Sequence, residues 1–135
     1  MHIRVLIIQP GAFKDDLQVV LRHAVLDPTR SIPEFDALSY VWGPPEPKER
    51  VYLDNKTHYL DIGINLGVAL RHLRYKDKTR AIWADAVCIN QPDPEELGDQ
   101  VRQMGTLYRL ARRVIAWLGP EEDNSARAMD VLKDL

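Results

Sequence analysis

Residues 83–91 read Trp83-Ala84-Asp85-Ala86-Val87-Cys88-Ile89-Asn90-Gln91, an apolar run with one acid inside it and two carboxamides at its end. This content predicts a buried strand that delivers Asp85, Asn90 and Gln91 to its carboxyl end, the edge at which open α/β sheets build ligand sites. A carboxylate inside such a run is costly unless it is paired, capped or set at the rim of a site. Asp85 is therefore a candidate for either a structural hydrogen bond or a polar role in a site.

Downstream of this run, Leu97, Val101, Met104, Tyr108 and Ala111 predict one face of a helix from about Pro94 to Ala111. Val114–Leu118 follows as a further buried strand closed by Gly119-Pro120. The last segment, from about Asn124 to Leu135, has Ala128, Met129, Leu132 and Leu135 at helical spacing. Strand, helix, strand, helix over residues 80–135 is the pattern of right-handed crossovers on a parallel sheet. The chain stops with no cap, which predicts that residues 1–135 are one domain at the front of a longer protein.

Upstream, residues 2–8 are β-branched and apolar and predict a strand closed by Pro10-Gly11. Residues 17–25 fit both alternating and helical templates and are read as a strand pairing back on the first. Residues 35–43 suit another strand, and Pro44-Pro45-Glu46-Pro47 must be an exposed loop because proline supplies no ladder donor. Val51-Tyr52-Leu53 and His58-Tyr59-Leu60 flank Asp54-Asn55 as a surface hairpin. Asn65 stands where an N-cap would, ahead of Leu66, Ala69, Leu70 and Leu73, so residues 65–74 read as a short helix. Arg71, Arg74, Lys76 and Lys78 surround its C-terminal end, where positive charge complements the helix dipole. A solvated helix end accounts for them. The expected fold class is α/β, a mostly parallel sheet with flanking helices and N-terminal β-hairpin additions.

Composition excludes several function classes. Eighteen Lys and Arg stand against 20 Asp and Glu, a net charge of -2, so no global field draws in nucleic acid or an anionic membrane. Together with Arg80, the basic residues after the first helix form only a modest cluster, too small for a nucleic-acid stripe. No apolar stretch approaches bilayer length, and the N-terminal Val5–Ile8 run is too short for a secretory signal. A single Cys88 in an apolar run predicts a buried, inert thiol and a reducing, cytoplasmic location. His2, His23, His58 and His72 are scattered, which predicts no metal site. Gly63 and Gly67 lack a following Lys-Ser or Lys-Thr pair, so no P-loop is present.

Five blocks, taken in order, carry a family likeness. They are Phe35-Asp36-Ala37-Leu38-Ser39-Tyr40-Val41-Trp42-Gly43; Asn65-Leu66 with Ala69-Leu70 and Leu73-Arg74; Trp83 through Gln91; Asp93, Glu96, Gln100-Val101, Met104 and Tyr108; and Val114 through Gly119. Together they resemble the HET (heterokaryon incompatibility) domain of filamentous fungi over residues 3–135. The resemblance implies a fungal non-self recognition effector that triggers programmed death of fused, incompatible cells and self-associates. Two positions depart from the family pattern: Leu97 stands where a basic residue usually follows the block glutamate, and Ala84 where an aliphatic usually precedes the block aspartate. HET domains are themselves remotely similar to TIR domains of innate immunity, some of which cleave NAD+. That second likeness implies that the α/β sheet is TIR/flavodoxin-like and that NAD+ is a substrate rather than a resident cofactor, and the TIR catalytic glutamate has no clean counterpart among Glu121, Glu122, Asp123 and Asp130.

Each candidate residue has two readings. Asp93-Pro94-Glu95-Glu96 forms a capping box with Pro at N1, in which Asp93 accepts from the Glu96 amide and the Glu96 side chain returns to the cap. As a catalytic group, Glu96 would stabilise the oxocarbenium-like ribosyl centre that develops when nicotinamide leaves. Asn90 and Gln91 suit a ribose or an amide, or satisfy their own loop backbone. Ser39, Tyr40 and Trp42 end a strand beside the expected ligand crevice, where Trp42 either packs in the core or stacks on a base. Ser39 is no nucleophile, because no Gly-x-Ser-x-Gly elbow surrounds it. The alternative to an enzyme is a non-catalytic assembly module using the Leu97–Ala111 helix or the 44–49 loop.

Overall fold

The computed structural model describes residues 1–27, 29–54, 56–89, 92–120 and 126–131, with side chains described as far as residue 118. Eight strands form one sheet: β1 (His2–Ile8), β2 (Leu17–Val25), β3 (Asp36–Ser39), β4 (Lys48–Leu53), β5 (His58–Gly63), β6 (Arg80–Trp83), β7 (Arg113–Pro120) and β8 (Ala126–Val131). Among the described residues three helices join them: α1 (Ile64–Leu73), the single turn α2 (Asp85–Cys88) and α3 (Pro94–Leu110). The strand order is β5-β4-β2-β1-β6-β3-β7-β8.

The architecture is mixed α/β, but the sheet is not mostly parallel. Only β2–β4, β3–β6 and β3–β7 run parallel, against antiparallel β1–β2, β1–β6, β4–β5 and β7–β8. The reason is local. Hairpin partners need only a turn, whereas each parallel pair needs a crossover; besides the β2-to-β4 connection through β3, the crossovers of the described residues join β3, β6 and β7. Those three are ordered β6-β3-β7, with α1 on the route from β3 to β6 and α3 on the route from β6 to β7.

Several local expectations are met, including the β1–β2 pairing from His2↔Val25 to Ile8↔Val19 and the β4–β5 hairpin from Lys48↔Gly63 to Leu53↔His58. The C-terminal segment is a correction. Residues 126–131 form β8, antiparallel to β7, rather than a helix; the rest of the segment from about 124 to 135 lies outside the described residues. Alternating Ala126, Ala128 and Asp130 serve a strand as readily as helical spacing does, and the exposed edge of β7 supplies the ladder partner that decides it.

Arg71 and Arg74, two of the basic residues around α1, are a second correction, whereas Lys76 and Lys78 are exposed as expected. Arg74 is 7% exposed and donates to the carbonyls of Ala12, Asp15 (3.0 Å) and Asp16 (2.9 Å). Arg71 reaches the carbonyls of Phe13 and Asp15 and the Glu49 carboxylate. These guanidiniums peg down the loop between β1 and β2 rather than standing in solvent, since a fork of donors satisfies several loop carbonyls at once. The Arg80 side chain is only 9% exposed, against Asp36.

The core runs along both faces of the central strands, with Leu6, Ile8, Leu38, Ile82 and Trp83 sealed from solvent. Leu66, Ala69 and Leu70 from α1 and Leu107 and Ala111 from the end of α3 close it. On α3 the inward stripe runs through Gln100 and Leu107, and Val101, expected on that face, is 55% exposed. Among the described residues no helix is long and apolar enough to cross a membrane.

His72 at the end of α1 packs between the rings of Phe13 (4.9 Å) and Trp117 (5.1 Å), and burial there lowers its pKa. The unfolded chain takes up a proton near the ordinary histidine value of about 6.5, whereas the folded protein resists it. Stability is therefore full above that value and falls as the pH drops through it towards the lower folded pKa. Urea midpoints measured from pH 7.5 to 5 should decline in the wild type and decline less in His72→Phe; parallel profiles would show that His72 does not carry the effect.

Candidate functional site

Beyond the carboxyl ends of β3 and β6 lies a cleft of about 690 Å3. Tyr40, Trp42, Gly43, Pro44 and Pro45 of the loop after β3 form one wall, and Lys48 with Leu60–Gly63 of the β4–β5 hairpin forms another. Ala86, Val87 and Ile89, on and just after α2, and Pro92 close the floor, and Arg4 reaches in from β1. The lining is mostly apolar and aromatic, with the two cations and the Asp61 carboxylate, the composition of a small-molecule site.

The loop after β3 is held by its own chemistry. Gly43 has φ of +72°, a conformation that glycine adopts without strain. A Cβ there would lie 2.4 Å from Asn65 Nδ2. That nitrogen donates to the Val41 carbonyl at 3.1 Å. Asn65 thus anchors the loop instead of capping α1, whose N-cap is Gly63 with no side-chain bond.

The strand expected over residues 83–91 stops at Trp83, and Asp85 opens the helical turn α2. The turn lifts the carboxylate out of a sheet interior where it would be stranded. Trp42 Nε1 donates to Asp85 Oδ1 at 3.1 Å, and the indole is half exposed. Trp42 is therefore a cleft wall rather than a core residue. Burial chiefly, and the Asp85 charge next, push the Tyr40 hydroxyl pKa well up, so the phenol stays protonated as a donor. Cys88 is sealed beneath the same turn, and burial raises its thiol to about 12. It is inert at neutral pH.

Asp93 caps α3, accepting from the amides of Glu95 (3.0 Å) and Glu96 (3.3 Å) with Pro94 at the first helical position. Glu96 Oε2 takes a hydrogen bond from Arg4 at 2.9 Å, and the ion pair raises the Arg4 pKa, the side-chain bond acting first. Antiparallel pairing sets Ile8 opposite Arg80 and Leu6 opposite Ile82, which carries Arg4 to the carboxyl end of β6. Glu96 also borders a separate crevice of about 50 Å3 with His2, His23, Arg4, Cys88 and Gln100.

Of the residues singled out from sequence, Tyr40 and Trp42 line the cleft and Asp85 stands at its rim. Glu96 is tied in through Arg4, and Asp93 is occupied by its cap. Ser39 ends β3 exposed and is not part of the lining. Asn90 and Gln91 lie outside the described residues. Among the described residues no group of three or more His, Cys, Asp or Glu could hold a metal ion. Arg4 and Lys48 were missed, although Arg4 gave a signal: a single charge inside the apolar run His2–Ile8 requires a partner across the fold.

The family model described as heterokaryon incompatibility protein (HET) matches residues 35–135. Heterokaryon incompatibility protein 6, OR allele, of Neurospora crassa is 36% identical over 146 aligned positions, covering 99% of this chain and 21% of that protein. Vegetative incompatibility protein HET-E-1 of Podospora anserina is 29% identical over 93 positions, covering 67% of this chain and 7% of its own length. The chain thus spans about a fifth or less of these curated relatives. No solved structure matches.

Proposed function

Because the chain belongs to the HET, or heterokaryon incompatibility, family, we propose that it serves fungal non-self recognition and signals cell death by cleaving NAD+ or a related nucleotide once it clusters. The β6-β3-β7 order of the parallel strands, with helices on both crossovers, supports a remote TIR-like relation. One observation carries the reading: an aromatic and apolar cleft that seats a planar ring also brings two cations and the Asp85 carboxylate to the carboxyl ends of parallel strands.

In this reading Trp42 or Tyr40 stacks on the nicotinamide or adenine ring. Water adds at the ribosyl carbon as the bond to nicotinamide breaks, and the bonding electron pair leaves on the nicotinamide nitrogen. Asp85 stabilises the oxocarbenium-like centre and takes the proton of the attacking water. Glu96 joins the site through its bond to Arg4. Purified protein at high concentration, or clustered through a fused oligomerisation tag, should release nicotinamide from NAD+. No turnover in either state would reject enzymatic output.

A second reading is a non-catalytic assembly module. Exposed Val101 on α3, together with the exposed 44–48 loop, favours it. It gains if Val101→Asp abolishes both self-association and cell death while nicotinamide release is never detected.

A further inference from the structure

Two cations reach the cleft from different elements, and they differ in how they are held. The Arg4 side chain is 35% exposed and is held by a bond from its Nη2 to Glu96 Oε2. A guanidinium carries five donors, so most of the fork remains to serve an occupant. Lys48 opens β4 opposite Gly63 on the facing wall, is exposed, and has no ion pair among the described residues. The carboxylates near them are engaged: Asp61 takes Arg50 at 3.3 Å and Asp85 takes the Trp42 indole. Apart from these cations and Asp61, the lining is apolar and aromatic and suits a ring.

We propose that Arg4 and Lys48 form an anion subsite that holds the phosphates of a nucleotide in this cleft, and that Glu96 acts by positioning Arg4. The inference rests on the nucleotide reading above and assigns residues to it. Arg4 supplies directed donors that match phosphate oxygens, and Lys48 supplies a mobile point charge. Removing Glu96 frees Arg4 to swing into solvent, so its loss weakens phosphate binding although its own charge is unfavourable to an anion. A directly catalytic glutamate would instead lower turnover with binding unchanged.

The test compares ADP-ribose, adenosine and inorganic pyrophosphate by calorimetry on the full chain. In the wild type, ADP-ribose should bind at least tenfold more tightly than adenosine, and its affinity should fall as salt rises. Arg4→Gln and Lys48→Ala should each weaken ADP-ribose by about tenfold, the scale of one charge-assisted hydrogen bond in a partly exposed site, with adenosine unchanged. Glu96→Gln should weaken ADP-ribose severalfold and raise KM for NAD+ with kcat held. Equal binding of adenosine and ADP-ribose, or no binding of ADP-ribose and pyrophosphate, overturns the subsite. Should pyrophosphate bind in an Arg4-dependent way while nicotinamide is never released, the subsite stands and the glycohydrolase reading falls. Nicotinamide release insensitive to both cation variants does the reverse.

Discussion

Asp36→Asn should lower the stability of the fold by about 3 kcal/mol, because removing one member of a buried ionic cluster strands the others. Asp36 is 1% exposed at the start of β3, between Ile82 of β6 and Arg113 of β7. Its Oδ2 accepts from Arg80 Nε (3.1 Å) and NH2 (2.9 Å), and Arg112 binds both oxygens at 3.1 and 3.0 Å. Those bonds raise the Arg112 pKa further. Asparagine keeps the shape but removes the charge, leaving two guanidiniums facing each other. Arg112 is 41% exposed and can turn into water, whereas Arg80, at 9%, is held against the Leu73 carbonyl and cannot. This asymmetry sets the cost at the lower end of the range for broken buried pairs. Urea unfolding should show the midpoint falling with an unchanged slope, and the melting temperature should drop by roughly 10 °C. Adding Arg80→Gln should recover part of the loss, since it removes the stranded cation. A penalty below about 1 kcal/mol would mean the cluster is screened by solvent.

Asp85→Asn should reduce nicotinamide release by at least about a hundredfold, the size expected for losing a positioned general base, while leaving the fold intact. An amide oxygen still accepts the Trp42 indole N–H, so the cleft wall keeps its place. The lost quantity is the negative charge beside the developing cation. KM should change little, since Arg4 and Lys48 are untouched. The contrast with Glu96→Gln, expected to act on KM, separates a reacting carboxylate from a positioning one. If Asp85→Asn retains full turnover, Asp85 is a structural group and not a base.

Local chemistry made much of this legible. The β1–β2 and β4–β5 pairings follow from β-branched runs separated by turn residues, and the Asp93-Pro94 start of α3 follows from capping rules that involve only neighbours in the chain. Tyr40 and Trp42 could be placed beside the cleft because they follow a strand that runs into the Gly43-Pro44 turn, at the sheet end where a crevice is expected. By contrast, Asn65 looked like a cap from its position alone, yet its side chain is taken by the Val41 carbonyl more than twenty residues away. The acid in the Trp83 run looked like an interruption of a strand, and the chain resolved it by turning helical at Asp85.

What the sequence determined by itself was the family, the hairpins, the cap of α3 and the aromatic corner after β3, all encoded within windows of a few residues. Tertiary structure decided the mixed direction of the sheet, the strand at residues 126–131, the burial of Arg74 and Arg80, and the recruitment of Arg4 to the cleft. The physical reason is the range of the interactions. Caps and turns close within one or two turns of chain, whereas ion pairs such as Arg4–Glu96 and Asp36–Arg112 join residues 92 and 76 positions apart. Their partners exist only once the sheet has assembled.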